Sequence, residues 1–92
     1  MQWKLFANLA ETAGRKEIDV DAGEATTVRE ALDALFERHP DLRSLVCTDE
    51  GNLQDHIRLL VDGADPFAEA DGYDTELDTD AELALFPPVS GG

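Results

Sequence analysis

Cysteine is almost missing from this chain. Cys47 is the only one, so no intrachain disulfide can form, and with His39 and His56 as the only histidines the Cys/His clusters of a structural zinc site are lacking. Basic side chains are scarce as well: 7 stand against 21 acidic ones, for a formal net charge of −14. Such a surface repels nucleic-acid phosphates and anionic membranes, which leaves cationic partners, or partners recognised by something other than charge. No apolar run approaches membrane-spanning length, and Met1-Gln2-Trp3-Lys4-Leu5-Phe6 has neither the long apolar stretch nor the cleavage site of a signal peptide. A soluble, cytoplasmic protein is expected. The 92 residues suffice for one compact domain and not for a second core, which excludes a multi-domain enzyme.

The acidity is uneven. Residues 1–47 hold 9 acids and 6 bases, whereas residues 48–92 hold 12 acids and one base, Arg58. These carboxylates read first as a solvated face, with an acidic recognition patch or nucleic-acid mimic as the alternative. Their mutual repulsion is largely screened at about 1 M salt, where the Debye length is about 3 Å. With Lys4 and Lys16 the only lysines, the composition fits a salt-rich cytoplasm.

Trp3-Lys4-Leu5-Phe6-Ala7 and Glu17-Ile18-Asp19-Val20-Asp21 alternate as strands do, and they are joined by a turn of helix closed by Gly14. Thr27-Val28-Arg29-Glu30 is a capping box, followed by the apolar stripe Val28, Ala31, Leu32, Leu35 and Phe36, with Arg29, Glu30, Asp33, Glu37 and Arg38 facing water. Pro40 ends this helix after His39, and Leu42, Leu45 and Val46 form a second short turn over the core edge. A third strand, residues 57–61, stops at Asp62-Gly63; a short edge strand around Phe67 and a loop through residues 71–74 lead to a last strand, residues 82–86. The order predicts an α+β sheet of four to five strands with one main helix across one face and the first and last strands central.

After the last strand come Pro87-Pro88-Val89-Ser90-Gly91-Gly92. Two prolines favour an extended segment of about 3.1 Å per residue, so six residues carry the carboxylate roughly 18 Å beyond the sheet. Glycine in the last two positions removes the side chains around that carboxylate, so the backbone fits a narrow channel. The bland alternative is a frayed end. The expected division is a domain at residues 1–86 and a tail at 87–92.

Leu85-Phe86-Pro87-Pro88-Val89-Ser90-Gly91-Gly92 resembles the tail of MoaD/ThiS-type sulfur carriers and of the small archaeal ubiquitin-like modifier proteins (SAMPs), all of the β-grasp, ubiquitin-like fold. The opening Trp3 to Ala7, then Leu9 to Gly14, the Thr27-Val28 helix start and Asp80-Ala81-Glu82-Leu83 sit in matching order. The acidic, lysine-poor composition is similar to that of haloarchaeal members. One departure is residues 68–76, longer than the family's usual connection.

The resemblance implies that no cofactor is bound and that the chain is not an enzyme. Instead the Gly92 carboxylate attacks the α-phosphate of ATP, held with Mg²⁺ on a ubiquitin-activating-type (MoeB/UbaA-like) adenylating enzyme. Pyrophosphate leaves, and the resulting acyl-adenylate is attacked by sulfide from a persulfide donor, giving a thiocarboxylate, or by a cysteine and then a substrate lysine, giving an isopeptide. Gly91, Pro87 and Pro88 are then the tail elements recognised, and a MoaE-like large subunit of molybdopterin synthase is a further expected partner. The free chain is expected to be a monomer.

If Trp3, Leu5 and Ala7, then Ile57, Leu59 and Val61, then Leu83 and Leu85 face the helix, alternation puts Phe6, Leu60 and Phe86 on the opposite face. The family's sheet order makes these neighbours, a docking patch beside the tail unless residues 64–80 cover it. Cys47 reads as a small buried residue and not as a nucleophile. His39 and His56 lack spaced partners for a metal, and Asp19, Asp21 and Glu24 are out of register for a calcium loop. Lys4 and Lys16 are candidate self-conjugation acceptors. Three functions compete: protein modifier, sulfur carrier for molybdopterin synthesis or tRNA thiolation, and acidic inhibitor of a nucleic-acid site.

Overall fold

The alternating segments at the start of the chain pair as an antiparallel hairpin in the computed structural model, which describes residues 1–20, 27–78 and 80–87. Its strands are β1 (Gln2–Leu5) and β2 (Glu17–Asp19), with Trp3 opposite Ile18. Ala7 is not part of β1. Its φ of 54° turns the chain off the sheet directly after Phe6, so Ala7 is exposed and does not face the helix as the alternation predicts. The connection forms α1 (Asn8–Ala13), which buries Leu9 and closes at Gly14. There a φ of 83° brings the Gly14 N–H to the Ala10 carbonyl at 2.9 Å, a conformation a Cβ resists. Asp21 and Glu24 lie outside the described residues.

The capping box starts α2 (Val28–Arg38) as expected. Thr27 is extended, and its Oγ1 accepts from the Glu30 N–H at 3.2 Å while donating to the Glu30 carboxylate at 3.0 Å. The whole apolar stripe from Val28 to Phe36 is buried. Pro40 opens a 3₁₀ turn (Pro40–Leu42) that runs into α3 (Arg43–Val46), where Leu42 and Val46 close the core edge and Leu45 is half-buried.

With β3 (Arg58–Val61) and β4 (Glu82–Phe86) the sheet has the order β2-β1-β4-β3, its central pair parallel and its outer pairs antiparallel. Trp3, Leu5, Ile18, Leu59, Leu83 and Leu85 meet α2 to form the core, while Val61 is only half-buried against it.

Among the described residues the sheet has four strands, because the residues around Phe67 are helical. Asp65 caps α4 (Pro66–Glu69): its Oδ1 accepts from the Phe67 N–H at 2.9 Å, and Pro66 fills the first helical position, where a missing N–H removes no hydrogen bond. A 3₁₀ turn (Gly72–Asp74) follows. This segment is tied to the α2 side. The Val28 N–H donates to the Thr75 carbonyl at 3.1 Å, and the Leu53 N–H donates to the Tyr73 hydroxyl at 2.7 Å. Arg29, expected to face water, is half-buried instead. Its guanidinium lies 4.1 Å from the Tyr73 ring centroid and donates to the Gly51 carbonyl at 2.7 Å, partners that helical periodicity does not reveal.

Candidate functional site

Parallel pairing sets Leu5 opposite Leu85, so the next residue of each chain segment, Phe6 and Phe86, emerges side by side on the face away from α2. Their rings stack with centroids 4.4 Å apart and planes 11° from parallel. Antiparallel pairing with β3 sets Leu60 opposite Ala84 and Arg58 opposite Phe86, which places Leu60 diagonal to Phe86 on the same face. Phe6 is 40% exposed, and Leu60 and Phe86 are half-buried.

The three sequence-predicted docking residues therefore share one face. The described part of residues 64–80 does not bury Phe6, because Tyr73, Thr75 and Glu76 engage Leu53, Val28 and Thr27 around the start of α2. A stacked aromatic pair left facing water, next to Leu60 and Ala84, is the kind of apolar cluster that marks a partner site. Cations flank it: Lys4 Nζ lies 3.1 Å from Glu82 Oε1, and Arg58 lies 3.8 Å from Asp65. Pro87, half-buried, follows β4 at this end of the sheet, and Pro88, Gly91 and Gly92 lie outside the described residues. Lys16 is exposed where β2 begins, its carbonyl accepting from the Leu5 N–H at 2.7 Å.

Cys47 is buried at the end of α3. Burial pushes its thiol up from the ordinary value, against the pull of the Arg29 and Arg43 guanidinium groups, so it is held neutral and is a poor nucleophile. His39 caps α2 and His56 is exposed before β3; among the described residues no group of three or more His, Cys, Asp or Glu side chains is placed to hold a metal ion. No helix among them is long and apolar enough to cross a membrane.

A four-stranded mixed sheet with a parallel central pair, one long helix across one face and an apolar patch where the last strand ends is the β-grasp arrangement of ubiquitin-like proteins. The sequence model of the ThiS family matches residues 3–92, and the chain belongs to that family of small ubiquitin-like modifiers and sulfur carriers. It is 50% identical over 92 residues to small archaeal modifier protein 1 of Haloferax volcanii, covering 100% of each chain. The crystal structure of SAMP1 from that organism superposes with a TM-score of 0.87 at 49% identity, over 100% of this chain and 98% of that one. The solution structure of SAMP1 from Methanosarcina acetivorans gives a TM-score of 0.82 at 32% identity, over 99% and 94%.

Proposed function

We propose that this chain is a ubiquitin-like modifier whose Gly92 carboxylate is adenylated by a ubiquitin-activating-type (MoeB/UbaA-like) enzyme and then joined to lysines of other proteins in the cytoplasm. The observation that carries this reading is the stacked Phe6–Phe86 pair at the base of a Pro-Pro…Gly-Gly segment, in a chain half identical to a protein named as a modifier. A carboxylate is a poor electrophile. Its oxygen attacks the α-phosphate of ATP, held with Mg²⁺ on the enzyme; the bond to pyrophosphate breaks, and the acyl-adenylate so formed carries a good leaving group. A nucleophile then takes the acyl group as AMP departs.

The chain's own residues divide this work. Phe6, Leu60 and Phe86 dock the enzyme, and Pro87, Pro88 and Gly91 are the sequence elements by which it recognises the route to the Gly92 carboxylate. Lys4 and Lys16 are the chain's own acceptor amines. Membership in the ThiS family over residues 3–92 favours a second reading beside the first: a sulfur carrier bearing a Gly92 thiocarboxylate, delivered to a partner such as a MoaE-like large subunit.

Mass spectrometry of the protein from its native cell separates the two. A terminal gain of about 16 Da, oxygen replaced by sulfur, reports the thiocarboxylate, and Gly-Gly remnants on other proteins' lysines report conjugation. Deleting Gly91-Gly92 is expected to abolish ATP-dependent pyrophosphate release by the activating enzyme. A deletion variant activated like the intact chain would overturn both readings, whereas inhibition of a nucleic-acid site that survives the deletion would favour the acidic inhibitor.

A further inference from the structure

A groove of about 640 Å³ lies between the end of β1, α1 and the start of β2, lined among others by Lys4, Phe6, Ala10, Glu11, Lys16 and Glu17. It brings together the only two lysines of the chain, 12 positions apart in sequence, and sets both against the exposed phenylalanine of the docking patch. We propose that Lys4 and Lys16 form a self-limiting acceptor site: a copy acylated on either amine by the carboxyl end of a second copy is no longer activated itself. The proposal rests on the adenylation reading above.

The geometry supplies the exclusion. Lys4 stands on the outer face in register with Ala84, one strand position pair before the Phe6–Phe86 stack, with its Nζ held 3.1 Å from Glu82. An enzyme that grips Phe6 and Phe86 while drawing in the segment after Pro87 covers this side of the sheet. A peptide amide-linked to Lys4 or Lys16 leaves through the same groove, against Phe6, and so occupies the ground that the enzyme must cover. The linkage also removes the Lys4 charge and with it the ion pair to Glu82.

The bonds balance as follows. The neutral Nζ attacks the Gly92 carbonyl of an adenylated second copy; the C–N bond forms, the C–O bond to AMP breaks, AMP leaves with the electron pair, and the nitrogen's surplus proton passes to solvent. No oxidant or reductant takes part. The exclusion is reciprocal, since a docked enzyme shields both amines, so activation and acceptance fall to different copies.

The test labels the full chain and its K4R/K16R variant with an amine-reactive biotin ester, whose adduct extends from Nζ as a linked peptide does. Each labelled chain is compared with its own unlabelled form for ATP- and Mg²⁺-dependent pyrophosphate release by a ubiquitin-activating-type enzyme, with far-ultraviolet circular dichroism confirming the fold. Labelling should slow activation of the native sequence about tenfold or more. The labelled variant, which takes label only at its amino terminus, should keep its unlabelled rate. A labelled native chain activated at its unlabelled rate, or a labelled variant slowed as much as the native chain, overturns the inference. No pyrophosphate release from the unlabelled native chain instead overturns the adenylation reading, and the inference with it.

Discussion

Replacing Phe6 by serine separates docking from folding, provided it is compared with a core substitution of similar cost. Phe6 is 40% exposed, so its serine variant loses part of the roughly 1.5–3 kcal/mol of a fully buried phenylalanine. It also loses the stack with Phe86 at 4.4 Å, worth about 0.5–1.5 kcal/mol. The sum, about 2–3 kcal/mol, is survivable for a domain whose stability is of order 5–15 kcal/mol. Leu35 is wholly buried in α2, and Leu35→Ala costs about 2–5 kcal/mol through lost burial and the cavity left behind. Both variants should lower Tm, by about 4–8 °C for each kcal/mol. On the proposed reading, only Phe6→Ser removes a side chain that the activating enzyme grips. A docking anchor is worth about 2 kcal/mol or more, so kcat/KM for pyrophosphate release should fall about thirtyfold in Phe6→Ser, and further with Leu60→Ser. Leu35→Ala should keep its native value when both are assayed well below their Tm in molar KCl. Equal kcat/KM for Phe6→Ser and Leu35→Ala would refute the assignment of this face.

With a net charge of −14, the urea midpoint should rise between 0.1 and 1 M KCl, as the Debye length shrinks from about 10 to about 3 Å; a flat midpoint would show that carboxylate repulsion is not limiting. Tyr73→Phe leaves the half-buried Leu53 N–H without its acceptor and should cost about 1–3 kcal/mol; Tyr73→Leu, which removes the ring as well, combined with Arg29→Met in a double-mutant cycle should show coupling of about 0.5–1 kcal/mol, and strict additivity would mean that the two side chains act independently. The Cys47 thiol is raised by burial, so the folded chain favours its neutral form. The stability this contributes is whole below the ordinary thiol value and is lost as pH rises through the higher folded value, so an alkaline loss of stability should be smaller in Cys47→Ala. An identical alkaline limb in the two proteins would assign that loss to other groups.

Local chemistry was legible wherever the interacting residues are close in sequence. Thr27 and Glu30 announce the start of α2, Gly14 the end of α1, and Asp62-Gly63 the turn after β3, where both residues take positive φ, 49° and 86°. The mistaken edge strand at Phe67 belongs to this class too: Asp65-Pro66 is an N-cap followed by a first-turn proline, a helix signal set within a run of acids. Arg29 was not legible. Helical periodicity assigns it to water, and its partners Gly51 and Tyr73 reach it from loops distant in sequence.

The candidate site divides in the same way. Alternation alone determines that Phe6, Leu60 and Phe86 oppose the core-facing residues, and composition alone determines that amines are scarce and that the tail has almost no side chains at its end. Only the tertiary structure decided that Phe6 and Phe86 stack, that Ala7 swings out of β1, and that Lys4 and Lys16 share one groove. The physical reason is the parallel pairing of the first strand with the last. A pairing between opposite ends of the chain depends on register across the whole domain, and no window of neighbouring residues contains it.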